Sequence, residues 1–286
     1  MMKKLLLSLV IGSATITPNI SYGQDEPGPN TGAISFSASQ TITSSYFFRG
    51  YNQEDIGLIY QPGVAATISI LDSDDLDITA TIGTWNSFHS EQTGSTNTWY
   101  ESDIYGSLDF AFGPVTASAL YTFYFYPGGA GDTIQELTLR LGYDDSALME
   151  SAGVPFTLSP YVLIAIETDD GNGTEDTYGE IGVSPAFALG DTGLTLTIPL
   201  VLGVSIDDFY VDSDGDNEFF GYGMIGAKVT IPLTFVPARY GEWSVDVGGN
   251  YLLLFADSVE MANDPDGFGD GEDYEIQGYV TLNWSY

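Results

Sequence analysis

The chain has no cysteine. That excludes a disulfide framework, a thiolate metal site, a cysteine nucleophile and a lipidated N-terminal cysteine. It is also poor in base: six Lys and Arg stand against 40 Asp and Glu, a formal net charge of −34 over 286 residues. Nucleic acid is excluded as a partner, because a polyphosphate needs a basic footprint. Charged residues of both signs make up 16%, against roughly 25% in ordinary soluble domains. Long apolar runs are missing, so the 43% hydrophobic content is not that of a bundle of membrane helices. Glycine-rich phosphate cradles of the Walker or Rossmann type are missing too; the glycines are scattered. What the chain holds in quantity is aromatic: 19 Tyr, 16 Phe and 4 Trp, too many for a disordered segment.

The N-terminus reads as an address. Met1-Met2-Lys3-Lys4 is basic, Leu5–Gly12 is short and apolar, and Ser21-Tyr22-Gly23 offers small residues at a cleavage site. This pattern predicts a secretory signal peptide over residues 1–23, too short for an anchor. Residues 24–32 read as a flexible lead-in and 33–286 as one domain. The bases left after cleavage are Arg49, Arg140, Lys228 and Arg239, which puts the mature chain at −36. An exported, cysteine-free chain of this kind points to a bacterial envelope.

Twelve extended segments follow, at about 33–48, 57–71, 76–88, 99–112, 115–126, 134–144, 156–167, 177–189, 194–206, 219–235, 242–256 and 273–286. In the first, Ile34, Phe36, Ala38 and Ile42 share one face and Ser35, Ser37, Ser39, Thr41 and Thr43 the other. In the last, Ile276, Val280, Leu282, Trp284 and Tyr286 oppose Glu275, Gln277, Tyr279, Thr281, Asn283 and Ser285. A period of two makes these strands with two different environments. They are about twice the usual strand length of roughly 5–6 residues. Their polar faces carry Ser, Thr, Gly, Asn and Tyr where a soluble sandwich would show Lys and Glu. About 9–11 tilted residues cross a bilayer, and closure into a barrel satisfies every backbone group that lipid cannot. The expected fold is all-β, an antiparallel up-and-down transmembrane β-barrel of about 12 strands, its apolar face against lipid.

The connections alternate as such a barrel requires. Asp72–Asp75, Gly113-Pro114, Gly190–Gly193 and Val236–Gly241 are short; 89–98, 168–176, 207–218 and 257–272 are longer and acidic. Two fit poorly: 145–155 is long on the short side, and 127–133 is short on the long side. Aromatic residues collect at strand ends. Phe36, Phe110, Phe112, Phe156, Phe187, Phe235, Trp243, Trp284 and Tyr286 mark the expected periplasmic rim. Tyr46, Phe88, Tyr100, Phe123, Phe125, Phe255 and Tyr274 mark the outer one.

The segment Ser45-Tyr46-Phe47-Phe48-Arg49-Gly50-Tyr51-Asn52-Gln53-Glu54-Asp55, followed by Gln61-Pro62-Gly63-Val64, resembles the opening of the TorF-type family of bacterial outer-membrane porins. Gly83-Thr84-Trp85-Asn86-Ser87 and Tyr121–Tyr126 with Pro127-Gly128 resemble later strands of that family. The likeness covers about residues 33–145. Tyr51-Asn52 and the very acidic later loops depart from it. It implies an outer-membrane barrel with passive transport, and it carries over no catalytic residue.

Parity turns Arg49, Trp85, His89, Glu101, Asp103, Asp109, Glu136, Arg140, Glu180, Lys228, Asp246 and Glu275 inward, as candidate pore-lining residues. Arg49 is expected to cap the first strand at the outer mouth. Glu136 and Arg140 lie four apart on one face, and Lys228 is placed to pair across strands. The expected function is a porin-like channel for passive diffusion of small solutes, cation-preferring because acids outnumber bases inside. The alternative is a lumen plugged by ion pairs: a non-conducting structural barrel whose acidic loops bridge divalent ions. Expected partners are outer-membrane lipid, the barrel-assembly machinery during insertion, and small solutes.

Two weaker signals remain. Asp212, Asp214, Asp216 and Glu218 space oxygen ligands as a Ca2+ loop does, but the full twelve-residue pattern is missing; Asp264-Pro265-Asp266-Gly267 and Asp169-Asp170-Gly171-Asn172 are looser versions. Solvated acidic loops are the simpler reading, and no other cofactor is expected. Ser87 and His89, the only histidine, have the spacing of barrel lipases. No third orienting group is identifiable beside them, so a barrel lipid esterase ranks last among the alternatives and an enzyme is not expected.

Overall fold

A computed structural model of the chain describes residues 30, 32–91, 97–170, 175–264 and 273–286. The expected signal peptide and nearly all of the lead-in lie outside the described residues, as do parts of the two looser acidic motifs. The strands are β1 (Ile34–Thr43), β2 (Tyr46–Phe48), β3 (Tyr51–Glu54), β4 (Ile59–Asp72), β5 (Asp77–His89), β6 (Trp99–Phe112), β7 (Val115–Phe125), β8 (Ile134–Tyr143), β9 (Phe156–Thr157), β10 (Tyr161–Asp169), β11 (Thr177–Val183), β12 (Ala186–Ala188), β13 (Thr195–Thr197), β14 (Leu200–Asp207), β15 (Phe220–Pro232), β16 (Glu242–Leu254) and β17 (Tyr274–Ser285). Two six-residue helices sit in connections, α1 (Ser146–Ser151) and α2 (Asp257–Ala262).

Twelve of these strands, β1, β4–β8, β10, β11 and β14–β17, pair antiparallel in chain order. The ring closes where β1 meets β17, from Ser37 opposite Ser285 to Thr43 opposite Tyr279. The chain therefore forms a closed twelve-stranded antiparallel barrel. Each of the twelve expected segments supplies one stave. Proline explains why three of them are broken: it has no N–H for the ladder. Pro160 separates β9 from β10, Pro185 separates β11 from β12, and Pro199 separates β13 from β14.

The barrel is inside out relative to a soluble protein. Ile82 and Ile276 are each 64% exposed. Ile42, Val64, Ile104, Leu141, Ile181 and Ile225 are exposed on the same outer face. Ser39, Thr41, Thr79, Ser107, Ser118, Thr138 and Thr281 are buried on the inner one. A protein surface in water does not present a continuous apolar belt of this kind; lipid explains it. No helix among the described residues is long and apolar enough to cross a membrane. At the short-turn rim, Trp243 and Trp284 both donate their indole N–H to the Tyr240 carbonyl, at 3.1 and 2.8 Å. At the other rim Phe88 stacks on Trp99 and Tyr251 on Tyr274.

The first segment departs from expectation. The barrel strand stops at Thr43, and residues 46–54 form a separate hairpin, β2 against β3. Tyr46-Phe47-Phe48 breaks the alternation of small polar and apolar residues, so no side-to-side pattern is left for a lipid face. Arg49 (φ +53°) and Gly50 (φ +91°) make the two-residue reversal, a conformation that glycine takes freely and arginine rarely does. Space is tight at Gly50 as well: a Cβ there would meet Val259 Cγ1 at 3.0 Å and Tyr222 Cβ at 3.1 Å, so either neighbour would have to give.

Candidate functional site

The hairpin folds into the lumen and touches wall strands spaced around the ring. Tyr46 and Phe47 are each 2% exposed. The Tyr46 hydroxyl donates to Glu101 Oε2 on β6 at 2.9 Å, and its ring packs on Trp85 of β5. Tyr100 on β6 donates to Gln53 Oε1 at 2.8 Å. Gln277 on β17 donates to the Ser45 carbonyl at 2.7 Å. Loops close over the tip. Tyr210 donates to the Arg49 carbonyl at 2.8 Å, and Asn263 Nδ2 to the Gly50 carbonyl at 2.9 Å. Phe47, Tyr178, Tyr210, Tyr222, Leu252, Leu254 and Val259 form one apolar cluster, joining hairpin, wall, the 207–218 loop and α2.

Arg49 stands at the tip of this hairpin and not at the end of the first strand, which corrects the expected position. Its Nη1 and Nη2 donate to Glu136 Oε2 and Oε1 at 2.7 and 2.8 Å. This is a two-pronged pair that matches guanidinium geometry. Glu136 Oε1 also accepts from Thr138 Oγ1 at 2.9 Å and from the Tyr124 hydroxyl at 3.2 Å. The guanidinium carbon lies 4.3 Å from the Tyr178 ring centroid, 4.7 Å from Phe48 and 5.2 Å from Phe209. Glu136 is thus neutralised by Arg49, from far away in sequence, and not by Arg140. Only the rule-breaking aromatic triplet before Arg49-Gly50 signals this in the sequence. Tyr46 and Tyr100, expected in the outer aromatic rim, belong to the filled lumen instead: each is under 10% exposed.

Toward the short-turn end the wall supplies its own contacts. Lys228 Nζ lies 3.3 Å from Asp246 Oδ2, across β15 and β16 as expected. Asp246 also accepts from Thr230 at 2.6 Å and from Asn283 at 3.1 Å. Asp109 accepts from Ser107 and Ser118 at 3.0 and 2.6 Å. The Arg140 guanidinium lies over the Tyr161 ring at 4.4 Å. Tyr161 and Tyr178 donate to the two Glu180 oxygens at 2.5 Å each. Trp85, His89, Glu101, Asp103, Asp109, Glu136, Lys228 and Asp246 are all buried within the ring. Glu275 sits near the long-loop end of β17, two residues before the inward Gln277.

Ser87 and His89 do have a third partner, supplied by the hairpin that sequence placed elsewhere. Ser87 Oγ and His89 Nε2 are 2.8 Å apart, and His89 Nδ1 faces Glu54 Oε2 at 3.8 Å. Among the described residues neither of those last two atoms has a hydrogen bond. Gln61 Nε2 donates to Ser87 Oγ at 3.3 Å. Ser87 is fully buried, so in this arrangement no substrate carbonyl reaches it.

The 212–218 loop turns on its own backbone. Asp212 Oδ1 accepts from the amides of Asp214 and Asp216 at 2.9 and 3.0 Å. Glu218 Oε2 accepts from the Asp257 amide, at the start of α2, at 2.9 Å. Two of the four expected Ca2+ ligands are therefore engaged by amides, and among the described residues no group of three or more His, Asp or Glu is placed to hold a metal ion.

No protein-family model matches the chain, and no curated protein does. The TorF-type resemblance thus rests on the quoted residues alone. Solved structures similar to the chain include an outer-membrane channel from Pseudomonas putida F1, at 10% identity, 88% of this chain, 94% of that one and a TM-score of 0.49. The NanC porin is similar at 10% identity, covering 87% and 98%, with a TM-score of 0.45. The translocator domain of the autotransporter NalP from Neisseria meningitidis is similar at 12%, covering 89% of each chain, with a TM-score of 0.42. At these identities no residue role is transferred.

Proposed function

We propose that this is an outer-membrane diffusion channel for small hydrophilic solutes, cation-preferring, and held shut at its outer mouth by the 46–54 hairpin. The observation that carries the reading is the inverted barrel, an apolar outside enclosing a polar axis. Its charge is lopsided. Glu54, Glu101, Asp103, Asp109, Glu136, Glu180 and Asp246 stand within the ring against Arg49, Arg140 and Lys228. A low-dielectric wall around that excess favours cations. The hairpin reaches from β5 and β6 to β8 and β17 across the lumen, which makes it the removable obstruction.

The test is reconstitution of the full chain in planar bilayers under a KCl gradient. The expected result is brief, small conductance steps with a reversal potential on the cation side, becoming long-lived when the hairpin is replaced by a flexible linker. Anion selectivity would overturn the preference, and silence in both proteins would overturn the channel. Silence would favour the plugged structural barrel, a reading supported by how fully the hairpin is anchored.

A further inference from the structure

We infer that the cradle around Glu136 is a binding site for guanidinium-bearing solutes, and that Arg49 occupies it as a tethered stand-in. The inference rests on the channel reading for how a solute arrives, but the site itself is on the wall. Glu136 and Thr138 belong to β8, Tyr124 to β7 and Tyr178 to β11; only Phe48 and Arg49 belong to the hairpin. When the hairpin leaves, a carboxylate with one oxygen held by Tyr124 and Thr138, its other oxygen free to accept, and the Tyr178 ring face beside it stay behind.

The cradle is selective by shape as well as by charge. Its two oxygens take two parallel N–H groups at 2.7 and 2.8 Å, and outside the hairpin the Tyr178 and Phe209 rings lie 4.3 and 5.2 Å from the cation's carbon. A planar, weakly hydrated guanidinium satisfies both demands; a compact, strongly hydrated ammonium satisfies neither as well. Glu136 lies two residues in from the start of β8, at the long-loop end, where an external solute would first meet a desolvated carboxylate. Arg49 holds its place from a left-handed backbone position, a conformation disfavoured for a side chain of its kind. A free ligand carries no such burden. A short tether gives Arg49 an effective concentration in the millimolar range, so a free solute competes at about that level or above.

The test uses methylguanidinium chloride against methylammonium chloride, each at about 20 mM, a level chosen to rival the tether, on the folded full chain in lipid nanodiscs. The chain has no cysteine, so Phe47→Cys on the buried hairpin reports its release by maleimide labelling, without any need for current. Methylguanidinium is expected to raise the labelling rate at least about threefold over methylammonium, and Glu136→Gln is expected to abolish that difference. If Phe47→Cys does not fold, Tyr46→Cys, equally buried on β2, serves the same purpose. Arg49→Ala, with the cradle vacant, is expected to be stabilised against heat by methylguanidinium at concentrations at least tenfold below those of methylammonium. Equal labelling with the two cations overturns the proposal even if Arg49→Ala binds guanidinium, since the pair would then be purely structural. Discrimination in labelling without conductance in any variant sinks the channel and keeps the site; conductance without discrimination does the reverse.

Discussion

The two halves of the lumen are built on different principles. Toward the short turns, the wall partners itself: Lys228 with Asp246, Asp109 with Ser107 and Ser118. These contacts join residues on the same or neighbouring strands, so barrel closure alone creates them. Toward the long loops, the wall's groups are partnered by a guest. Glu101 takes its hydrogen bond from Tyr46, and Glu136 its ion pair from Arg49. Remove the guest and the first half keeps all these partners, while the second loses the counter-charge of Glu136 and the Tyr46 bond to Glu101, keeping only the wall bonds of Glu136 from Thr138 and Tyr124. The difference separates what alternation can specify, a container, from what it cannot, the container's contents.

The largest effect should come from removing the guest outright. Replacing Tyr46–Glu54 with a Gly-Ser linker deletes no barrel strand, so folding should persist. Bilayer conductance should rise at least about tenfold, because the segment that bridges the lumen between opposite staves is then gone. An unchanged trace would move the barrier to the short-turn half and reverse the comparison. Next is Glu136→Ala, which leaves Arg49 as an unpaired buried charge. Breaking such a pair costs about 3–5 kcal/mol, read as a lower urea midpoint for the folded barrel. The matching change in the other half, Lys228→Met, should cost less, because Asp246 keeps its bonds from Thr230 and Asn283. Equal losses would erase the distinction.

Two smaller perturbations test the frame around both halves. Ile82 lies at the middle of β5 and faces outward. Ile82→Arg should cost about 2–4 kcal/mol in lipid, while leaving the lumen and its selectivity alone. Gly50→Ala strains a left-handed position and presses on Val259 and Tyr222, at a cost of about 1–3 kcal/mol. Its effect should appear as more frequent opening, not as loss of the barrel.

Most of the barrel was legible in the chain and little of the hairpin was. Alternation in segments such as Ile34–Thr43 and Tyr274–Ser285 survives into the structure because each side chain's environment follows from parity alone. Lys228 with Asp246 was accessible for the same reason, lying across a neighbouring pair of strands. Arg49 with Glu136 was not: the partners are 87 positions apart, and nothing periodic links a loop to the strand it will meet. The Ser87, His89 and Glu54 grouping failed for that reason too, since two of its members share a strand and the third rides on the hairpin. The clue that existed was local disagreement, three aromatics in a row followed by Arg-Gly, where both faces of a strand would have been apolar.

The smallest expected effect concerns the rim of the hairpin-filled half, where acids crowd without the compensation seen below. Asp176, just before β11, has its carboxyl pushed up to about 6, by burial first and then by the charges of Asp208, Asp170 and Asp207. Glu260 in α2 is raised likewise, by burial and by Asp273, Asp257 and Glu218. A raised carboxyl pKa means that the folded form binds its proton more tightly than the unfolded chain, whose value is about 3.9 for Asp. The penalty is therefore complete above about pH 6 and is relieved as pH falls through 6 toward 4. Acidifying from pH 7.5 to 5 should raise the temperature at which the protein shifts to its unfolded gel mobility, and it should lengthen closed times, since the loops that cover the hairpin then repel one another less. Because Asp176 is partly exposed, solvent screens the effect and it stays modest. Asp176→Asn should shrink the difference between the two pH values, while Asp246→Asn, in the compensated half, should not. A larger pH response from the second substitution would mean that the stress lies among the wall's own pairs, and the contrast between the halves would have to be drawn the other way.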